Sequence, residues 1–195
     1  MGSQSERSDA RLNRERLLAA AREVLAERGA AAEMREIAER AGVAVGTLYR
    51  HFPTREALVA AIIAETLEEV RGFIAEAEAN PYALDALRHL AARACGLVER
   101  GQGIFELITG MELGVRAPDD LIPPALKEEL ETRVRRIVER GVAQGEIRSD
   151  FPPALLAAFC RATIPFVFLH LRQEWPFEDA VRASVALITD ALRPH

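Results

Sequence analysis

The stretch AGVAVGTLYRHFPTREAL, residues 41–58, breaks the helical spacing of apolar residues kept on both sides of it. Gly42, Gly46, Thr47, Tyr49, Arg50 and His51 fall within ten positions, between short apolar anchors. Gly42 ends one periodic segment and Pro53 closes the next, so residues 45–51 read as a short helix of their own. At about 100° per residue, Leu48 and Phe52 share one side, and Gly46, Tyr49 and Arg50 share the opposite one. Thr47 and His51 lie on the flank. The apolar pair anchors the helix, while the other side presents bare backbone, a phenol and a guanidinium.

Those groups suit a helix laid into a DNA groove. A residue without a side chain lets the backbone approach closely, hydroxyls donate to phosphates, and an arginine supplies charge or reads guanine. Arg55, in the first turn of the next helix, can reach the DNA backbone beside the groove.

Outward from that stretch, a helix over residues 34–41 buries Met34, Ile37, Ala38 and Ala41 and is joined to the short one by only three or four residues, a helix-turn-helix pattern. A first helix over about 9–28 carries the stripe Leu12, Leu17, Leu18, Ala21, Val24 and Leu25 and stops at Gly29. Thr54 can cap a long fourth helix over 55–79, whose apolar face runs through Leu58, Ile62, Ile63, Thr66, Leu67, Val70, Phe73 and Ile74. Helical periodicity resumes over about 82–100, 103–114, 124–144, 153–173 and 178–192. Strand signals are nearly absent, so the chain is expected to be all-α with about nine helices, split into residues 1–58 and 59–195.

The 195 residues suffice for one large domain or two small ones, and 49% apolar with 28% charged residues is ordinary globular usage. A net charge of −5 speaks against a phosphate partner only on average. Residues 1–58 hold ten arginines against nine acids, so the surplus of negative charge lies beyond them. Cys95 and Cys160, in apolar helical sequence, lack zinc or disulfide spacing, and with no signal-peptide run at the start this points to a reducing cytoplasm.

Residues 152–171 are as long and apolar as a membrane span, but Arg161 at the centre would cost at least ~2.5 kcal/mol there. A helix buried all round in a soluble oligomer is expected instead, with no membrane partner. His51, His89, His170 and His195 have no paired metal-ligand spacing, no Gly-x-Ser-x-Gly occurs, and Lys127 follows no phosphate loop. No catalytic residue, metal or cofactor is expected.

The string MREIAERAGVAVGTLYRHFPTREAL, residues 34–58, resembles the DNA-binding region of the TetR family of one-component transcriptional regulators, whose pattern runs IAxxAGVSxGTLYxHFxxKExL. The resemblance is close over about residues 12–60 and beyond that holds in layout only. It implies that the third helix is the recognition helix. Val45, Gly46 and Tyr49 would then meet bases or sugar edges, Arg35 would reach a base, and Thr47, Tyr49, His51 and Arg55 would hold phosphates. Arg50 occupies a variable position. The helical wheel puts Val45 beside Phe52, against the resemblance, and its role stays open. Ala44 stands where the family has serine, and Ala32 and Glu33 where it has threonines, so the phosphate grip is expected to lean on arginines. Arg7, Arg11 and Arg14 form an N-terminal arm able to touch a minor groove or a phosphate.

A lone helix-turn-helix makes few contacts, so two copies on a palindromic operator, with half-sites about 34–36 Å apart, are expected. The apolar helices at 153–173 and 178–192 are the candidate homodimer interface. The middle helices are expected to enclose a small-molecule effector. Candidate pocket residues are Phe73, Phe105, Ile108, Met111, Phe159 and Phe166, with Arg161 and His170 as polar contacts on opposite sides of their helix. Arg161 requires an anion: a ligand carboxylate, Glu106, Glu112 or another acid. The protein is thus read as a regulator, most simply a repressor released by its effector, with the fourth helix as lever. The alternative is a dimeric helical small-molecule-binding or adaptor protein that does not bind DNA.

Overall fold

The computed structural model describes residues 2–101 and 124–194, and among them there are eight α-helices and no strand. They are α1 (Gly2–Arg28), α2 (Met34–Arg40), α3 (Val45–His51), α4 (Arg55–Ala79), α5 (Ala83–Arg100), α6 (Pro124–Gln144), α7 (Pro153–Arg172) and α8 (Phe177–Leu192). A 3₁₀ turn, Gly29–Ala31, follows α1. The helix expected over 103–114 lies outside the described residues.

The chain divides into two compact units, with the break inside α4 between Thr66 and Leu67. In the first, Leu17, Leu18, Ala21, Val24 and Leu25 of α1 are buried together with Ile37, Ala38, Leu48, Phe52, Leu58, Ile62 and Ile63. Leu12 is 46% exposed, so the apolar stripe of α1 becomes core only from Leu17 onward. The α2–α3 turn follows from Gly42 at φ +68°, a conformation that costs glycine little. Its N–H donates to the Glu39 carbonyl and that of Val43 to the Ala38 carbonyl, which ends α2 with its last acceptors satisfied. Ala44 gives α3 no side-chain cap. Thr54 does cap α4, its Oγ1 accepting from the Ala57 N–H at 3.1 Å.

The second unit packs the C-terminal half of α4 with α5 to α8. Arg133 of α6 forks onto both carboxylate oxygens of Glu78 on α4, at 2.7–3.2 Å, and Arg71 of α4 reaches Glu129 of α6 at 2.6 Å. Arg140 donates to the carbonyls of Ala77, Glu78 and Asn80, closing the end of α4. Arg172 of α7 grips Glu99 of α5.

α7 is long and apolar enough to cross a membrane, with mean hydropathy 1.8 over an 18-residue window, yet only 28% of that window is buried. It is therefore not covered all round within one chain. Leu156, Cys160, Ile164 and Phe168 turn inward, while Leu155, Phe159 and Phe166 stay exposed.

Candidate nucleic-acid interface and internal cavity

α3 is held from beneath by Leu48 at 0% exposure and Phe52 at 4%, which fixes the side it offers to solvent. On that side Tyr49 is 47% and Val45 36% exposed, and Gly46 lies open. Val45 thus faces out with Tyr49, because a helix's first residue sits beyond the last turn of its support. A Cβ built on Gly46 would meet nothing within 4 Å. The fold has no need of glycine there, and glycine inside a helix costs roughly 0.5–1 kcal/mol relative to alanine. The bare backbone at Gly46 is thus open to close approach from outside the chain.

The cations around this face are loosely held. Arg50 folds back to donate to the Gly46 carbonyl at 3.2 Å, and Arg35 pairs with Glu39 one turn on at 3.0 Å, both partners well exposed. Surface pairs of this kind contribute about 0–1 kcal/mol, so either guanidinium can be redirected at little cost. Thr47 and His51 are half-buried on the flank, and the His51 ring lies 6.3 Å from that of Phe52. Arg55 is half-buried and donates to the Gly29 carbonyl at 3.4 Å, tying the end of α1 to the start of α4. Arg14 turns to Glu65 at 3.0 Å and lies over the Phe52 ring, and Arg11 pairs with Glu15. Both arm arginines whose side chains are described thus engage their own unit. On the far side of α2, Arg40 bridges Glu23 and Glu27 of α1 and holds the Glu27 carboxyl below its usual range.

In the second unit a cavity of about 520 Å³ opens among α4 to α8. Leu67, Val70 and Ile74 of α4, Leu87 and Leu90 of α5 and Ile164 of α7 give it an aliphatic wall, and Ala154, Ala157 and Ala158 leave the room. Its ionisable lining among the described residues is Glu128, Glu131, Arg135 and Arg161. Cys160 also borders it, and burial pushes that thiol up to about 12, as it does Cys95, so neither is a reactive thiolate at neutral pH.

Of the expected pocket residues, Arg161 lies on this wall and pairs with Glu131 at 3.2 Å, but at 57% exposure it is solvated and does not require the anion expected for a buried arginine. Phe73 does not; it is buried, with Arg93 over its ring at 4.4 Å. Phe159, Phe166 and His170 point to solvent, which removes them from this wall, His170 on the side opposite Arg161 as their spacing requires. Phe105, Ile108 and Met111, with Glu106 and Glu112, lie outside the described residues. The sequence reading missed the lining of α6, Glu128 to Arg135; its one signal was two acids and an arginine on an amphipathic helix.

The profile described as "Bacterial regulatory proteins, tetR family" matches residues 17–62, which span α1 from its first buried leucine to the start of α4. The HTH-type transcriptional repressor KstR2 of Rhodococcus jostii is 32% identical over 162 residues, 77% of this chain and 75% of that one. Among solved structures, the TetR transcriptional regulator SCO0520 of Streptomyces coelicolor is 28% identical with a TM-score of 0.59, covering 93% of this chain and 98% of the other. The ketosteroid transcriptional regulator KstR2 of Mycobacterium tuberculosis shares the fold at TM-score 0.72 and 20% identity, over 93% and 95% of the two chains. With the helix-turn-helix and the helical unit that follows it in the chain both matched, the chain belongs to the TetR family of bacterial regulatory proteins and is a DNA-binding transcriptional regulator.

Proposed function

We propose that the protein is a cytoplasmic, homodimeric repressor, not a catalyst, that holds a palindromic operator through α3 and leaves it when an apolar effector occupies the cavity. The observation that carries this reading is the outward side of α3, where an open Gly46 stands beside an exposed Tyr49 on a helix clamped from behind. In this reading Val45, Gly46, Tyr49 and Arg35 meet bases or sugar edges, Thr47, His51 and Arg55 hold phosphates, and Arg50 adds charge. Residues 1–58 supply the reading head, and 59–195 the effector site and dimer contact.

The homodimer is supported by exposed Leu155, Phe159 and Phe166, at helical spacing on α7, and by Leu187, 57% exposed, on α8. A face of large apolar side chains on two adjacent helices suits a four-helix contact between copies. Repression is supported by the name of the R. jostii relative, and an apolar effector by the aliphatic cavity. An effector that fits the DNA-free conformation better lowers operator affinity, and DNA lowers effector affinity equally, a coupling of about 1–3 kcal/mol in typical cases. α4, shared by both units, is the element that would carry it.

Selection of bound duplex from a random pool at fixed salt tests the reading. A palindrome with half-sites one helical turn apart is expected, and Tyr49→Ala should weaken binding to it about tenfold or more while leaving the dimer mass unchanged. Recovery of no preferred motif would overturn the specific-regulator reading.

A further inference from the structure

We infer that the cavity selects an uncharged ligand, a saturated hydrocarbon with one hydroxyl or carbonyl head, and that the Arg161–Glu131 pair rejects free acids and amines of the same skeleton. The inference rests on the reading of the cavity as the effector site.

The wall gives the body of the ligand. Its apolar surface is leucine, isoleucine, valine and alanine, and no aromatic ring lines it among the described residues. The described part of the wall offers no π-face on which a flat ring would stack or a quaternary ammonium would rest. Flexible or saturated hydrocarbon gains as much from burial there as anywhere, and needs no such face.

The charges give the head. Four ionisable side chains reach the wall among the described residues, and both cations are already matched. Arg161 Nη2 lies 3.2 Å from Glu131 Oε1, and Arg135 Nε lies 3.4 Å from Glu139. A free carboxylate that took Arg161 would displace Glu131 and remain beside it, with Glu128 one turn away on the same helix, and like charges so placed repel. A free amine that took Glu131 would leave Arg161 unmatched beside it. A hydroxyl can accept from the guanidinium and donate to the carboxylate with the pair intact, and a carbonyl can accept from the guanidinium alone. The Arg161 and Glu131 side chains are 57% and 42% exposed, so their pairing is itself weak and either can turn toward a head group. Discrimination therefore comes from the like charge that a carboxylate meets in Glu131 and an amine meets in Arg161, an arrangement that disfavours the wrong ligand without binding the right one tightly.

The test measures binding of decan-1-ol, decanoate and decylammonium to the full chain by calorimetry, at pH 7, below micellar concentrations and without DNA. Decan-1-ol should bind about tenfold or more tightly than either charged probe. Glu131→Gln releases Arg161 from its counter-ion, so decanoate should gain about tenfold relative to decan-1-ol, and Arg161→Gln should give decylammonium the mirror-image gain. Far-UV circular dichroism verifies that both variants keep their helices. Equal or tighter wild-type binding of a charged probe, a preference that neither substitution moves, or no binding of any probe up to its solubility limit each overturns the inference. Because no DNA is present, failure here is separate from failure of the operator selection.

Discussion

The outward side of the reading head and the second unit use arginine in opposite ways. In the reading head Arg35 pairs with Glu39 while 77% exposed, and Arg50 leans on its own helix. In the second unit Arg133, 20% exposed, forks onto Glu78, and Arg140 closes the last carbonyls of α4. Released from a weak surface pair, a guanidinium can turn to a phosphate; released from a half-buried fork, it strands a charge. Two glycines, Gly46 and Gly141, show the same contrast, although Gly72 of the second unit is as open as Gly46. At Gly46 an added Cβ meets open space, whereas at Gly141 of α6 it would lie 2.4 Å from Ile147 Cδ1 and 2.8 Å from the Ala83 Cβ. The outward side of the head holds Arg35, Arg50 and Gly46 only loosely, and the second unit uses Arg133, Arg140 and Gly141 to fix helix against helix.

Gly141→Val puts the contrast to its severest test. Three added carbons have no room between α5 and the chain after α6, so a loss of about 3 kcal/mol or more is expected from overpacking. For a chain of this length that lowers the melting temperature by roughly 6–12 °C. A melting temperature within about a degree of wild type would mean that α6 and Ile147 yield freely, and the second unit would lose its claim to rigidity.

Glu78 gives an intermediate effect with a pH signature. The hydrogen bonds from Arg133, opposed by some desolvation, hold its carboxyl below the ordinary value near 4.5. A depressed folded value means that the stabilisation is fully present above the unfolded value and fades as pH falls through the folded one. Glu78→Gln should therefore cost about 1–2 kcal/mol at pH 7, discounted for partial exposure, and progressively less in acid below the unfolded value. Urea unfolding at both pH values reads this out, and a deficit that does not shrink in acid would assign the loss to packing. Arg35→Gln, in the head, should stay within about 0.5 kcal/mol of wild type.

The head was legible in the sequence because its signals are local. Gly42 and Pro53 bracket α3, Thr54 caps α4, and Leu48 with Phe52 sets the buried side, all within thirteen residues. Val45 and Leu12 escaped the periodicity because each sits beyond the last turn that its support covers. The cavity was not legible in this way. Aromatic residues were expected to line it, but on α7 the aromatics Phe159 and Phe166 face out, and the space lies over alanines 154, 157 and 158. A cavity forms where side chains are small, and large ones fill whatever they face. Which side of α7 faces α6 depends on partners thirty residues away, and periodicity along one helix does not report that. That Arg161 pairs with an acid was readable, though not that the acid is Glu131 or that the pair is solvated.

Gly46→Ala separates what a residue does for the fold from what it does for a partner, and on stability its effect is small. Alanine is the better helix former by roughly 0.5–1 kcal/mol, and its methyl meets no atom of this chain, so the variant should melt slightly higher than wild type. If α3 enters a groove with this backbone foremost, the same methyl stands between helix and DNA and must weaken operator binding. Opposite signs in the melting curve and the binding isotherm therefore identify Gly46 as a contact with something outside the chain. A variant that melts higher and binds the selected operator undiminished would leave Tyr49 and the arginines to make the approach, with α3 held farther from the bases than its bare backbone allows.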